Sequence, residues 1–83
     1  MEIEYSTEAV KSLRRCDKRI LVRQKIEELA DDPSSLSTNI VKLQGRTAYR
    51  LRVQNWRVIF RMDVGVVHVE TVLPRGSVYE VRK

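Results

Sequence analysis

The sequence predicts an α+β fold: a small antiparallel β-sheet with two N-terminal helices packed on one face, in the order β-α-α-β-β-β. Two observations carry this. Apolar residues recur at helical spacing up to Ala30 and at a period of two from Tyr49 onward. Between these regimes, Asp31-Asp32-Pro33-Ser34-Ser35 stops helical structure, because proline disfavours helix at the residue before it. The chain has 83 residues, 42% of them apolar, which suits one core and one domain spanning 1–83.

Glu2-Ile3-Glu4-Tyr5-Ser6 alternates charged or polar and apolar groups, the period of a half-buried strand. Ser6 or Thr7 is a helix N-cap, with Glu8 in the first turn where the helix dipole favours a carboxylate. Val10 and Leu13 mark a short amphipathic helix to about Arg15. The second helix runs from Asp17 to Ala30, with Val22, Ile26, Leu29 and Ala30 on one stripe. A surface loop is expected from there to about Asn39. Tyr49, Leu51 and Val53 then alternate with Arg50 and Arg52. Gln54-Asn55 turns a hairpin, after which Trp56, Val58, Phe60 and Met62 alternate with Arg57, Ile59 and Arg61. Asp63-Val64-Gly65 is the next turn. Val66 to Leu73 reads as a strand whose β-branched run does not distinguish its two faces. Pro74-Arg75-Gly76 ends it, leaving Ser77–Lys83 as a short tail.

The formal charge of +5 is unevenly placed. Residues 1–38 carry seven basic and eight acidic side chains, whereas residues 39–83 carry nine basic ones against Asp63, Glu70 and Glu80. Seven of those nine are arginine, whose planar fork suits phosphate and carboxylate. One cysteine excludes a disulfide framework or a multi-cysteine zinc site. With a single histidine, no His-rich metal centre is expected either, and the reading calls for no cofactor. No apolar run approaches a membrane span and no leader opens the chain, so a cytoplasmic protein without membrane contact is expected.

If the apolar members of the two alternating strands face the helices, then Arg50, Arg52, Arg57 and Arg61 share the opposite face. Four like charges on one face repel unless an anion lies among them, and no run of carboxylates intervenes in the sequence to pair them. The face therefore reads as a phosphate-binding surface, weighed against an ordinary solvated sheet face. Lys42 and Arg46, around Gln44-Gly45, are balanced between a surface loop and phosphate contact. His68 reads as a core or edge histidine, Cys16 as a small packing residue, and Trp56 as core ahead of base stacking. Tyr79 lies outside any apolar period, four residues after Arg75, where its hydroxyl could reach a ligand on the arginine face.

Four short runs, in order, carry a family resemblance: Lys42-Leu43-Gln44-Gly45, Tyr49-Arg50-Leu51-Arg52-Val53, Trp56-Arg57-Val58-Ile59-Phe60 and Pro74-Arg75-Gly76-Ser77-Val78-Tyr79. Together with Tyr5, the two helices and Pro33, they resemble the RelE/ParE superfamily of bacterial and archaeal toxins over nearly the whole chain. The resemblance implies the toxin of a type II toxin–antitoxin pair. RelE-like members are metal-independent endoribonucleases that enter the ribosomal A site and cut mRNA, inhibiting translation. ParE-like members instead poison DNA gyrase and are not nucleases. A decayed, non-catalytic module that binds antitoxin and nucleic acid is a third alternative.

By position, Arg50 and Arg52 match the basic pair of the RelE catalytic strand, and Arg57 the arginine that binds the scissile phosphate. Arg75 and Tyr79 match the closing motif, where Pro74 stands for the family's histidine and Leu73 for a further arginine of some members. Lys42, Arg46, Arg61, Arg82 and Lys83 are expected to contact the RNA backbone around them. The implied partners are an acidic antitoxin, mRNA and the ribosome, with operator DNA reached only through the antitoxin complex. The implied chemistry is attack by a ribose 2′-OH on the adjacent phosphate, which needs a base, cations and an acid. Arginine supplies the cations but, permanently protonated, is a poor base. Tyr79 is the first candidate for that role and Lys42 the second.

Overall fold

The structure, a computed structural model, describes residues 1–76. Strand β1 (Glu2–Tyr5) leads into helices α1 (Thr7–Arg14) and α2 (Arg19–Asp31). A 3-10 segment (Pro33–Asn39) and four strands follow: β2 (Ile40–Lys42), β3 (Tyr49–Val53), β4 (Trp56–Asp63) and β5 (Val66–Pro74). The five strands form one sheet in the order β1-β5-β4-β3-β2.

The β-α-α start and the three long strands agree with the sequence reading. The sheet, however, is mixed rather than wholly antiparallel. β2–β3, β3–β4 and β4–β5 pair antiparallel, but β1 lies parallel to β5, Glu2 opposite Val66 and Tyr5 opposite Val69. The two helices carry the chain from β1 to the far edge of the sheet, where β2 enters running opposite to β1. Three successive antiparallel steps, β2 to β3 to β4 to β5, then bring β5 back beside β1 in the same direction. Periodicity within a strand carries no information about orientation. Two local expectations also change. The stretch after Pro33 is a 3-10 turn anchored by buried Leu36, with the Ser35 hydroxyl donating to the Asp32 carbonyl at 2.8 Å. The three residues of β2 are too few to show a period.

Ser6 caps α1, its hydroxyl oxygen accepting from the Ala9 amide at 2.9 Å. The stripe Val22, Ile26, Leu29 and Ala30 of α2 is buried, as its spacing requires. It meets Leu51, Val53, Val58 and Phe60 of the sheet, together with Val67, Val69 and Val72. Tyr49 stacks on Phe60 with ring centroids 5.6 Å apart. Trp56 joins this core, and its indole Nε1–H donates to Asp17 Oδ1 at 3.1 Å. Met62, assigned to the same alternation, lies exposed at the strand's far end. Cys16 is buried at the helix junction, and burial raises its thiol pKa, which suits a packing role.

The faces of β5, which the sequence left open, depend on a β-bulge. Phe60 pairs with Val69 and Ile59 with Thr71, so Glu70 has no partner on β4. The apolar alternation of β5 thus jumps from Val67 and Val69 to Val72. Beyond Tyr5 the β5 edge has lost its β1 neighbour, and α1 supplies the hydrogen-bond partners instead. The Ser6 hydroxyl donates to the Glu70 carbonyl at 2.6 Å, and the Ser12 hydroxyl accepts from the Val72 amide at 3.0 Å. Ser12 is buried and also donates to the Ala9 carbonyl at 3.2 Å.

Candidate functional site

The sheet face turned away from the helices carries the candidate residues. Side chains opposite one another across an antiparallel pair point the same way, so the register orders this face into rows. At the β3–β4 hairpin end, Arg52 stands opposite Arg57, which in turn faces Leu73. The next row holds Val41, Arg50, Ile59 and Thr71. At the β4–β5 turn end, Arg61, His68 and Glu4 form a third row. The predicted grouping of Arg50, Arg52, Arg57 and Arg61 on one face is therefore what the strand register gives.

This face is not an even arginine field. Ile59 is buried on it, covered by Leu43, Ala48 and Leu73 in a second small core. The chain between β2 and β3 folds over the sheet there, closed by a Leu43 amide to Ala48 carbonyl bond of 2.9 Å. Gly45, at φ +72°, provides the left-handed residue of that loop.

The hairpin end is the basic half. Arg50 and Arg52 make no ion pair among the described residues. Arg57 is half-buried, and its Nη1 donates to the carbonyls of Gln54 at 2.8 Å and Trp56 at 2.9 Å. These bonds hold the guanidinium against its own turn, where Gln54 takes φ +54°. The Arg75 amide donates to the Asn55 carbonyl at 2.8 Å, so the backbone of Arg75 lies at this same end.

The other half is neutralised internally, which corrects the expectation that no carboxylate pairs the arginines. Glu70, the extra residue of the bulge, takes Arg61 Nε at 2.9 Å and Arg46 Nη2 at 2.7 Å, one on each carboxylate oxygen. His68 is half-buried at the sheet surface, its Nδ1 3.1 Å from Glu4 Oε1 and its Nε2 3.0 Å from Asp63 Oδ2. Sequence reasoning missed Glu70 because the bulge breaks the period of two there. Its signal was the apolar pair Val69 and Val72, three residues apart in a strand of otherwise alternating burial.

Lys42 pairs with Tyr49, so it takes the helix-side face at the sheet margin, across the sheet from Arg50. Tyr79, Arg82 and Lys83 lie outside the described residues. Among the described residues, no cluster of three or more His, Cys, Asp or Glu side chains could hold a metal ion, and no helix is long and apolar enough to cross a membrane. A second basic surface lies on the helix side, where Tyr5, Val10, Leu13, Arg14, Arg19 and Arg23 line a groove of about 450 Å³. The guanidinium of Arg23 sits over the Tyr5 ring, 5.8 Å from its centroid.

Arg50, Arg52 and Arg57 can thus bind a polyanionic backbone and stabilise added charge on a phosphate. The same architecture occurs in solved structures. The archaeal RelE–RelB complex from Pyrococcus horikoshii has a chain 23% identical to this one, with a TM-score of 0.75 over 90% of this chain and 94% of that one. The RelB–RelE antitoxin–toxin complex from Methanococcus jannaschii has one 26% identical, with a TM-score of 0.67 over 96% and 99%. YafQ from Escherichia coli is 16% identical, with a TM-score of 0.73 over 94% and 97%. No curated protein matches the sequence. The family model for the ParE toxin of the type II toxin–antitoxin system parDE matches residues 3–79. With its RelE-like fold and this match over nearly its full length, the chain belongs to the ParE toxin family of type II toxin–antitoxin systems.

Proposed function

We propose that this toxin is a metal-independent endoribonuclease that cuts mRNA on the ribosome. The observation that carries the reading is the row of Arg52 and Arg57, with Arg50 beside it, on an open sheet face. In the proposed step the ribose 2′-oxygen attacks the adjacent phosphorus and its proton passes to a base. The P–O5′ bond then breaks, O5′ takes a proton, and the products are a 2′,3′-cyclic phosphate and a 5′-hydroxyl. Arg57 clamps the scissile phosphate, and Arg50 and Arg52 take up charge on the phosphorane. Tyr79 is the proposed base, with Arg75 favouring its phenolate. The register counts against Lys42, which lies on the helix side of the sheet.

Mapping RNA 5′ ends after induction tests this. Wild type should create new 5′-hydroxyl ends within coding sequences. Arg57→Ala should reduce them about 100-fold or more, the scale for losing one preorganised transition-state donor. Tyr79→Phe should also suppress them if the phenol is the base. Undiminished cleavage by Arg57→Ala would remove the clamp role.

The match to the ParE family favours a second reading, poisoning of DNA gyrase without RNA cleavage. Leu73 and Pro74, standing where the RelE pattern has basic or histidine side chains, point the same way. DNA breakage on induction with no new RNA ends would select it. Under either reading the proposed partner is an acidic antitoxin, attracted by the arginine sheet face and by the groove of Arg14, Arg19 and Arg23. Antitoxin affinity should fall between 50 and 500 mM salt, and salt-independent binding would count against that attraction.

A further inference from the structure

Resting on the reading of the open face as a nucleic-acid surface, we infer that Arg46 and Arg61 form a second phosphate site, which Glu70 occupies as an intramolecular competitor. The two guanidinium groups come from different elements, a loop and β4, and converge on one carboxylate at 2.7 and 2.9 Å. A phosphate presents the same pair of oxygens to them. Each arginine spends one nitrogen on Glu70, so each keeps donors for an incoming anion. All three side chains are partly exposed, and ion pairs in that setting exchange readily with solvent anions.

Glu70 is not needed to build this part of the fold. Leu43 and Ala48 anchor the loop on Ile59, and its ends are joined by the Leu43–Ala48 backbone bond. The bulge is held through the Glu70 carbonyl by Ser6, not through the carboxylate. What the bulge does with its extra residue is aim an acid between two arginines. While Glu70 holds them, Arg50 and Arg52 are the arginines of this face without an ion pair among the described residues. A phosphate backbone running across the face can add Arg46 and Arg61 to its contacts only once the carboxylate gives way, so Glu70 opposes those two contacts as long as it is charged.

Glu70→Gln keeps the shape and removes the charge. Purified toxin, released from its antitoxin by denaturation and refolded, would be titrated with a 12-nucleotide single-stranded RNA and with inorganic tripolyphosphate over a salt series. The control is Glu4→Gln, which makes the same change in net charge on the same face without touching Arg46 or Arg61. Glu70→Gln should bind the RNA about tenfold more tightly than Glu4→Gln. Its slope of log affinity against log salt should steepen by about 1.4, two further phosphate contacts at about 0.7 each on a single strand. Adding Arg46→Ala and Arg61→Ala should cancel both gains. Equal RNA affinities and slopes for the two single variants would overturn the inference, leaving Glu70 as a surface tether. If no variant binds RNA but Glu70→Gln alone gains tripolyphosphate affinity, the phosphate site stands and the nucleic-acid reading of the face falls. If Glu70→Gln does not refold, Glu70→Asp, which shortens the reach to both arginines, should give a smaller gain of the same sign, and no gain from it would overturn the inference.

Discussion

The two ends of the open sheet face use the same residue type under different electrostatic conditions. At the β4–β5 end, Arg61 shares Glu70 with Arg46, and the neighbouring row sets His68 between Glu4 and Asp63. At the hairpin end, Arg52 and Arg57 face each other directly across two strands, with Arg50 in the next row. Like charges in that position destabilise a sheet by a fraction of a kcal/mol to about 1 kcal/mol. Opposite charges at the other end contribute a similarly small amount of the favourable sign. Arg50 and Arg52 thus stand without an ion pair among the described residues, while the arginines of the other end share a carboxylate.

The largest test of this division concerns what lies between the ends. Ile59, 2% exposed, is the apolar floor beneath the loop that carries Arg46. Ile59→Ala should cost about 2–5 kcal/mol in urea unfolding, at the lower end because the cluster is small. It should also loosen Arg46 while leaving the hairpin arginines in place. Next in size is Ser12→Ala. It removes the acceptor of the buried Val72 amide beside the bulge and should cost about 1–3 kcal/mol. A loss below about 0.5 kcal/mol would mean that the bulge needs no support from α1.

A smaller pair of effects should differ in sign between the two ends. Arg52→Glu places a carboxylate opposite Arg57 and should stabilise the isolated toxin by about 0.2–1 kcal/mol. Arg61→Gln removes one partner of Glu70 and should destabilise it by up to about 1 kcal/mol. Denaturant midpoints at low and high salt check both, and a common sign would erase the contrast.

The smallest effect lies on the helix side. Burial raises the Tyr5 phenol above its ordinary value of 10.0, opposed in part by the Arg23 guanidinium. The unfolded chain therefore ionises Tyr5 first, so this contribution is complete below about pH 10 and declines as pH rises beyond it. Tyr5→Phe should flatten that alkaline decline in a pH series of unfolding midpoints.

Several features were legible in the sequence because short-range periodicity encodes them. The stripe Val22, Ile26, Leu29 and Ala30 and the alternation in β3 state which side of each element is buried. Once the strands pair, the same alternation puts Arg50, Arg52, Arg57 and Arg61 on one face without further information. The Ser6 cap and the stop at Pro33 are likewise local, each decided by one residue and its immediate neighbours. The unequal charge of the two halves of the chain was countable before any fold was known.

The tertiary structure alone decided the rest. The parallel placement of β1 on β5 depends on the helices delivering β2 to the far edge and on three antiparallel steps back across the sheet, over a sequence separation of more than 60 residues. The position of Glu70 depends on an extra residue that disturbs the period of two on which sequence reading relies. Its partners, Arg46 and Arg61, stand 24 and 9 residues away, and a loop folding onto Ile59 is what brings the first of them within reach. Alternation determines the face a residue takes, because it follows from backbone geometry at neighbouring positions. Which charges on that face find partners is a matter of long-range register, and no local pattern carries it.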